Sequence, residues 1–274
     1  MGQAELERQL RETGSYDTPA DCRRAVADRL LGWSDLWFQL KVMRVVWRSH
    51  VVVRSGRFDF TAWAGLSYGV FHAVEACGGI IHIRDHDALK PPHGPVVYVA
   101  NHMSVLETLL LPVQALLHGR LTFVVKESLL RYPVFSSIMR AVNPVSVARA
   151  NPREDLKVVL IEGQRRLESG LSVVIFPQAT RSAVFNPAEF NSLGAKLAKR
   201  AGVPVVPVAV KTDFARNGKW MKDFGRVDRS LPLHFRYGAP LTVGAREREA
   251  HEAVVRFITA NLKEWGGHVA EVPT

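Results

Sequence analysis

The sequence has few cysteines and no long apolar run, and both shortages exclude classes of protein. Cys22 and Cys77 are its two cysteines, and they lie far apart without C-x-x-C or metal-type spacing. We therefore expect no disulfide framework, no zinc or other cofactor, and a reducing compartment. No run of about 18 or more uncharged apolar residues occurs, so no ordinary membrane-spanning helix is predicted. Residues 1–21 are polar and lack the apolar segment of a secretory signal.

Acidic residues are also few compared with basic ones, so the 274 residues carry a formal net charge of +10. This balance favours anionic partners, which include nucleic acid, an anionic membrane surface and phosphorylated substrates. The basic residues are scattered, and zinc-finger, RNP-type and basic-heptad patterns are missing. We therefore expect no nucleic acid partner.

Residues 32–54 form an amphipathic pattern. Apolar residues recur at steps of three and four and share one helical face: Trp33, Leu36, Trp37, Leu40, Met43 and Trp47. Cations lie in the same segment, and tryptophan with Lys or Arg suits a bilayer interface. The same face could instead pack on the main domain, and both interpretations stay open. Residues 61–79, apolar with several small residues, predict a second helix, so we expect residues 1–79 to form a helical, membrane-facing region.

From about residue 80, short apolar runs alternate with helical patterns. Strands are predicted at residues 80–84, 96–100, 122–126, 145–149, 172–176, 205–210 and 233–237, and helices at residues 104–117, 128–141, 152–169, 188–201 and 246–264. This alternation predicts an α/β domain over residues 80–274, with a mostly parallel mixed sheet flanked by helices. Ligand sites in such sheets gather at the carboxyl ends of the strands.

The segment from Asn101 to Glu107 follows a predicted buried strand and places an imidazole and a carboxylate five positions apart. Residues five apart on one regular helix point about 140° away from each other, so His102 and Glu107 can meet only if His102 precedes the helix. Ser104 and Glu107 form an S-x-x-E capping box that would start the helix near Ser104. Two interpretations stay open: a general base with its orienting carboxylate, or a loop histidine beside a helix cap.

Basic and hydroxyl side chains follow three other predicted strands. Thr180, Arg181 and Ser182 lie in a loop after residues 172–176, and they could cradle an anion because arginine makes paired hydrogen bonds to phosphate. Lys126 and Arg149 end two further strands and could enlarge a positive rim beside His102. The alternative for each is ordinary solvated charge.

Four segments, in this order, resemble the conserved blocks of glycerolipid acyltransferases. His102 to Glu107 resembles the HX4D/E motif, residues 126–149 resemble the second block, residues 176–182 resemble the FPEGTRS block, and residues 203–208 resemble the V-P-[IV]-[IV]-P-V block. The resemblance covers residues 80 to 240. It is closest to 1-acylglycerol-3-phosphate acyltransferases.

The resemblance implies roles for these residues. His102 would be the general base for an acceptor hydroxyl, and Glu107 would orient the imidazole. Arg149, Thr180 and Arg181 would contact the acceptor phosphate, with Lys126 and Ser182 also in the binding region. The donor would be acyl-CoA or acyl carrier protein, the acceptor a lysophospholipid, and the location the cytoplasmic face of the cell membrane, as a peripheral or monotopic protein.

Three departures from the family pattern leave alternatives open. Glu107 stands where aspartate is commoner, and Gln178 and Ala179 stand where the FPEGTRS block has Glu and Gly. Another lipid acceptor (an amino-acid lipid, another lysophospholipid or a lipid A precursor) or an inactive lipid-binding homologue therefore remains possible. A hydrolase using Ser104 or Ser182 is disfavoured because neither serine lies in a G-x-S-x-G elbow.

Overall fold

The computed structural model describes residues 1–31, 34–90, 94–218 and 225–271. Its helices are α1 (Gln3–Thr13), α2 (Val26–Leu30), α3 (Leu36–Arg54), α4 (Phe60–Ala76), α5 (Leu106–Ala115), α6 (Phe135–Ala141), α7 (Pro152–Glu168), α8 (Leu193–Ala201) and α9 (Glu247–Glu264). Its strands are β1 (Tyr16–Asp17), β2 (Ile81–Arg84), β3 (Val97–Ala100), β4 (Leu121–Lys126), β5 (Val145–Val147), β6 (Ser172–Ile175), β7 (Val184–Phe185), β8 (Val205–Lys211), β9 (Leu233–Tyr237) and β10 (His268–Val269).

The strands form an eight-stranded sheet in the order β1-β2-β9-β8-β3-β6-β4-β5. The five strands from β8 to β5 are mutually parallel. Strand β9 runs antiparallel to β8 and parallel to β2, and β1 is antiparallel to β2. β7 and β10 pair separately. The prediction of an α/β fold with a mostly parallel mixed sheet is therefore confirmed.

Both faces of the sheet are covered, which is why its central strands read as continuous apolar runs. All seven residues of β8 are buried, and their side chains alternate between two cores. Val206, Val208 and Val210 belong to the core that contains α4 and α5, whereas Val205 and Ala209 belong to the core of α7, α8 and α9. Helix α8 lies very close to β3, because a Cβ added at Gly194 would come within 2.3 Å of Val99. Only glycine fits there.

The first 79 residues share the core of the α/β domain. Leu6 and Leu10 of α1 are fully buried in the same cluster as the sheet residues, and β1 adds an edge strand to the sheet. Trp63 of α4 packs edge-on against Phe123 of β4, with ring centroids 5.9 Å apart. Within the described part of the chain, no helix has both the length and the apolar content to cross a bilayer.

The structure differs from the sequence prediction in two helices and three strands. The helix expected over residues 188–201 begins at Leu193, after a separate 3-10 turn, Pro187–Glu189. The helix expected over residues 128–141 is a 3-10 turn, Glu127–Arg131, followed by the shorter α6. Tyr132 between them is extended, because the proline at position 133 disfavours a helical conformation of the residue before it. The two-residue strands β1, β7 and β10 were missed, since they are too short to show an alternating pattern.

Candidate active site

The parallel strands bring the chemistry-bearing residues to one edge of the sheet. Strands β3, β4, β5, β6 and β8 all point the same way, so the segments that follow them meet at their carboxyl ends. His102 follows β3, Lys126 ends β4, Arg149 follows β5 and residues 176–182 follow β6. The sequence prediction of a shared edge agrees with this topology.

His102 and Glu107 meet because His102 precedes α5 and Glu107 lies in its first turn. Nδ1 of His102 is 3.3 Å from Oε1 of Glu107, with 16% of the His102 side chain exposed and none of the Glu107 side chain. An ionised carboxylate only accepts hydrogen bonds, so Nδ1 carries the proton and the lone pair is left on Nε2. This tautomer is the one that a general base needs.

The Glu107 carboxylate is held by several donors besides His102. It accepts hydrogen bonds from the backbone N–H of Met103 and, at 2.8 Å, from that of Ser104. The hydroxyls of Ser104 and Thr212 each lie 2.9 Å from Oε2. Ser104 Oγ in turn accepts a hydrogen bond from the N–H of Leu106 at 3.1 Å, where a full capping box would have the N–H of Glu107 as the donor, and α5 begins at Leu106 rather than near Ser104. The Glu107 carboxylate thus binds backbone N–H groups just before α5, as a helix cap does, and also contacts His102, as an orienting carboxylate does.

Opposing effects set the ionisation of Glu107. Complete burial raises the pKa of a carboxyl group, but the hydrogen bond and charge of His102 and the N–H of Ser104 outweigh it. The pKa of Glu107 is therefore held below its usual range. At neutral pH the buried side chain is a carboxylate that can stabilise a positive charge on His102.

The loop after β6 fixes His102 from two directions. The imidazole stacks on Phe176, with ring centroids 4.3 Å apart and planes 18° apart. The backbone N–H of His102 donates to Oε1 of Gln178 at 2.7 Å, and its carbonyl accepts from the N–H of Ser182 at 2.9 Å. A glutamate at position 178 could accept the same bond, so the departure to glutamine preserves the contact and removes a negative charge next to His102.

Three polar residues of the site were not identified from the sequence. Asn101 extends the pairing of β3 and β8, because its side chain donates to the carbonyl of Val210 at 2.7 Å and accepts from its N–H at 2.9 Å. Thr212 contacts Glu107, and Asn217 donates to the carbonyl of Met103 at 2.9 Å. For Asn101 and Thr212 the available signal was a polar residue directly after a buried strand.

The predicted anion-binding residues lie beside one another at the same edge. Arg149 donates to the backbone carbonyl of Ala179, which places its guanidinium against the loop that carries Thr180 and Arg181. Lys126 pairs in register with Val147, two residues before Arg149. Ser182 contributes differently from the expectation, because its hydroxyl accepts from the N–H of Val184 at 3.1 Å and its own N–H holds His102.

Helix α3 exposes some of its apolar residues to solvent and buries others. Five side chains at steps of three and four are 43–58% exposed and form what we call the α3 stripe: Leu36, Leu40, Met43, Trp47 and Val51. Their positions span about 80° of the helix circumference. Lys41, Arg44 and Arg48 are exposed on one side of this stripe. Trp37 is partly buried and packs against the core, as the core-packing interpretation expects, whereas Trp47 is exposed to solvent. Trp33 lies outside the described residues.

Comparison with known proteins finds a family model and several relatives that match part of this chain. The acyltransferase family model matches residues 81–211. A 1-acyl-sn-glycerol-3-phosphate acyltransferase of Pseudomonas aeruginosa is 34% identical over 118 residues, which cover 43% of this chain and 45% of that protein. One from Chlamydomonas reinhardtii is 33% identical over 150 residues, covering 54% of this chain and 41% of that protein. The chain thus spans less than half the length of these two relatives.

A solved structure extends the similarity to the fold of nearly the whole chain. The crystal structure of the 1-acyl-sn-glycerophosphate acyltransferase PlsC from Thermotoga maritima matches with a TM-score of 0.66 and 19% identity. The match covers 90% of this chain and 99% of that one. This likeness shows the fold, and the acyltransferase family model confirms the resemblance drawn from the sequence blocks over residues 81–211.

Proposed function

We propose that this protein, an acyltransferase-family chain over residues 81–211, moves a fatty acyl group to the hydroxyl of a lysophospholipid. The donor is acyl-CoA or acyl carrier protein, and the favoured acceptor is 1-acylglycerol-3-phosphate, the substrate for which its relatives are named. The observation that carries the proposal is the hydrogen-bonded His102–Glu107 pair, with Nε2 left as a base at the carboxyl edge of the sheet.

The geometry supports a direct transfer without an acyl-enzyme. Nε2 of His102 takes the proton of the acceptor hydroxyl as its oxygen attacks the thioester carbonyl carbon, and a C–O bond forms. The tetrahedral intermediate then collapses, the C–S bond breaks, and the proton on His102 passes to the departing thiolate. Glu107 remains ionised throughout and stabilises the imidazolium between the two steps. Ester and free thiol are the products.

The basic residues beside the pair fit an acceptor that carries phosphate. In the proposal, Arg149 and Arg181 bind the phosphate oxygens, Lys126 adds positive charge, and Thr180 and Ser182 line the same loop. The contact of Arg149 with the carbonyl of Ala179 supports this, because it holds the guanidinium next to that loop. Several positive charges at one edge favour a phosphate over a neutral headgroup.

The α3 stripe supports a peripheral or monotopic location at an anionic membrane surface, and the family resemblance implies the cytoplasmic face. Exposed Leu40, Met43 and Trp47 would enter the boundary between headgroups and acyl chains, while Arg44 and Arg48 would contact lipid phosphates. In this arrangement residues 1–79 are the interface region and residues 80–274 the catalytic domain. Of the three tryptophans expected there, Trp47 is the one that the described structure exposes.

Product analysis tests the proposal. Wild-type protein is incubated with acyl-CoA or acyl carrier protein donors and a panel of lyso-lipids, and the products are identified by mass spectrometry. We expect acylated 1-acylglycerol-3-phosphate, no product from His102→Ala, and full product from His268→Ala, a change at an exposed histidine of β10. Product from another acceptor would correct the substrate, and binding without product from any donor would favour the inactive lipid-binding homologue.

A further inference from the structure

We propose that Thr212 is a positioning residue for the His102–Glu107 pair, an inference that rests on the proposed function. Its hydroxyl fixes the orientation of the Glu107 carboxylate from the side opposite the imidazole. The segment that carries Thr212 is in turn anchored to α3, the helix that bears the exposed stripe.

The contacts around the carboxylate place Thr212 in this role. Thr212 is fully buried directly after β8, and its Oγ1 donates to Oε2 of Glu107 at 2.9 Å. His102 engages the other oxygen, Oε1. The N–H of Met103 shares Oε1 with His102, and Ser104 shares Oε2 with Thr212. Rotation of the carboxylate plane would break bonds on both oxygens, so the donors on Oε2 help keep Oε1 aligned with the imidazole. Thr212 Oγ1 is also 3.0 Å from Oγ of Ser104, which closes a triangle of hydroxyls and carboxylate.

Other charged groups near Thr212 are paired away from Glu107. Lys211 and Asp213 flank Thr212 in the sequence and contact each other at 2.8 Å. His102 is the ionisable side chain whose hydrogen bond and charge lower the pKa of Glu107. Arg216, the next cation along the segment, pairs with Asp228 at 2.7 Å. Thr212 therefore supplies the carboxylate with a neutral donor.

The segment after Thr212 folds back on itself, and we call its described residues, 212–218 and 225–229, the β8 hairpin. Its two arms are joined where the N–H of Arg216 donates to the carbonyl of Arg226 at 2.9 Å and that of Asp228 donates to Phe214 at 2.7 Å. Asn217 binds the carbonyl of Met103, next to His102. The hairpin thus contacts the segment from Met103 to Glu107 at two points, the carbonyl of Met103 and the carboxylate of Glu107.

The opposite side of the β8 hairpin is fixed to α3 and the residues before it. Phe214 packs edge-on against Phe38, with ring centroids 6.0 Å apart. The Gln39 side chain donates to the carbonyl of Gly225 at 3.0 Å.

Arg229 completes this attachment. Its guanidinium contacts Asp35 at 3.0 Å and the fully buried Asp28 at 3.1 Å, and it donates to the carbonyl of Cys77 at 2.8 Å. A guanidinium with partners in three segments is held in one place, so the hairpin and Thr212 are held with it.

Isosteric substitution separates the hydroxyl from the shape of the residue. Thr212→Val should lower kcat about tenfold, the scale of one hydrogen bond to a charged group, and leave KM nearly unchanged. Loss of a donor raises the pKa of Glu107, so the acid limb of the rate profile, which reports the pair as a unit, should move to higher pH. Thr212→Ser, which keeps the hydroxyl, should restore both kcat and the limb.

Thr122→Val is the matched control, because Thr122 is also a fully buried threonine whose Oγ1 finds no hydrogen-bond partner among the described residues. It should behave as wild type in both measurements, and melting curves verify the fold of each variant. A folded Thr212→Val with wild-type kcat and profile would overturn the inference, and so would a folded Thr212→Ser as impaired as a valine variant. Inactive wild-type protein would instead refute the proposed function itself.

Discussion

Replacing Glu107 by glutamine is the sharpest test of the pair, because it changes charge while keeping size. In the wild type the carboxylate lies 3.3 Å from Nδ1 of His102. At an effective dielectric constant of about 20, an imidazolium at that distance is stabilised by about 5 kcal/mol. Each factor of ten in rate corresponds to about 1.4 kcal/mol, so loss of this attraction could slow the reaction by up to about 10⁴-fold.

The amide also disturbs the tautomer, since it offers one acceptor oxygen where the carboxylate offers two. If its NH₂ group faces His102, Nδ1 must become the acceptor and the proton moves to Nε2, which then cannot act as a base. If the NH₂ group faces the other way, it meets the N–H of Ser104, which lies 3.0 Å from Oε2. Only part of the attraction is lost if the structure relaxes, so we expect kcat to fall between about 10²- and 10⁴-fold.

The assay is the steady-state release of thiol from acyl-CoA with the acceptor that the product analysis identifies. Glu154→Gln is the matched control, because Glu154 also lies in the first turn of a helix but is exposed and contacts only Lys157 among the described residues. The control should keep wild-type kcat. A folded Glu107→Gln protein within threefold of wild type would refute the orienting role and leave Glu107 as a helix cap.

Two further predictions concern the membrane surface and acid stability. Trp47→Ala should weaken binding to anionic vesicles about tenfold in a sedimentation assay without changing the melting temperature. Trp37→Ala should instead lower the melting temperature, since Trp37 packs on the core. Equal vesicle binding by wild type and Trp47→Ala would contradict the interface role. Burial, and then the charge of His118, lower the pKa of the fully buried His86 to about 3 from 6.5. Below pH 6.5 the unfolded chain binds a proton at His86 that the folded protein does not bind, so the free energy of unfolding has its full value above pH 6.5 and falls as the pH drops. We expect about 2 kcal/mol of it to be lost between pH 7 and pH 5. Urea unfolding at both pH values should show this loss reduced in His86→Gln, and an unchanged pH dependence would count against it.

The local parts of the fold could be predicted from the sequence, and the long-range parts could not. The runs that became β3, β6 and β8 were recognised because both faces of each strand are buried and apolar. The sequence did not reveal that Thr212 contacts Glu107 or that Gln178 contacts His102, since the partners lie 105 and 76 positions apart along the chain. Contacts of this kind depend on the order of strands in the sheet, which periodicity does not reveal.

The same limit applies to α3. Steps of three and four placed Trp37 and Trp47 on one broad face, yet residues ten positions apart differ by about 80° around a helix. That angle is enough for Trp37 to reach the core while Trp47 stays 58% exposed. The pattern therefore identified the helix and its apolar arc, but the boundary between buried and exposed residues within the arc depended on where the β8 hairpin and α4 pack.

The glutamate at position 107 has a structural reason that the sequence comparison alone did not offer. From the first turn of α5, its carboxylate reaches back to the N–H groups of Met103 and Ser104 and across to Thr212, directly after the neighbouring strand β8, while still meeting His102. An aspartate at this position would be one methylene shorter and could not span the same set without a shift of the helix. The longer carboxylate and the hydroxyl of Thr212 therefore form one arrangement: the reach of Glu107 brings Oε2 to Thr212, and in the role that we propose for Thr212 this contact helps to keep Oε1 turned toward His102.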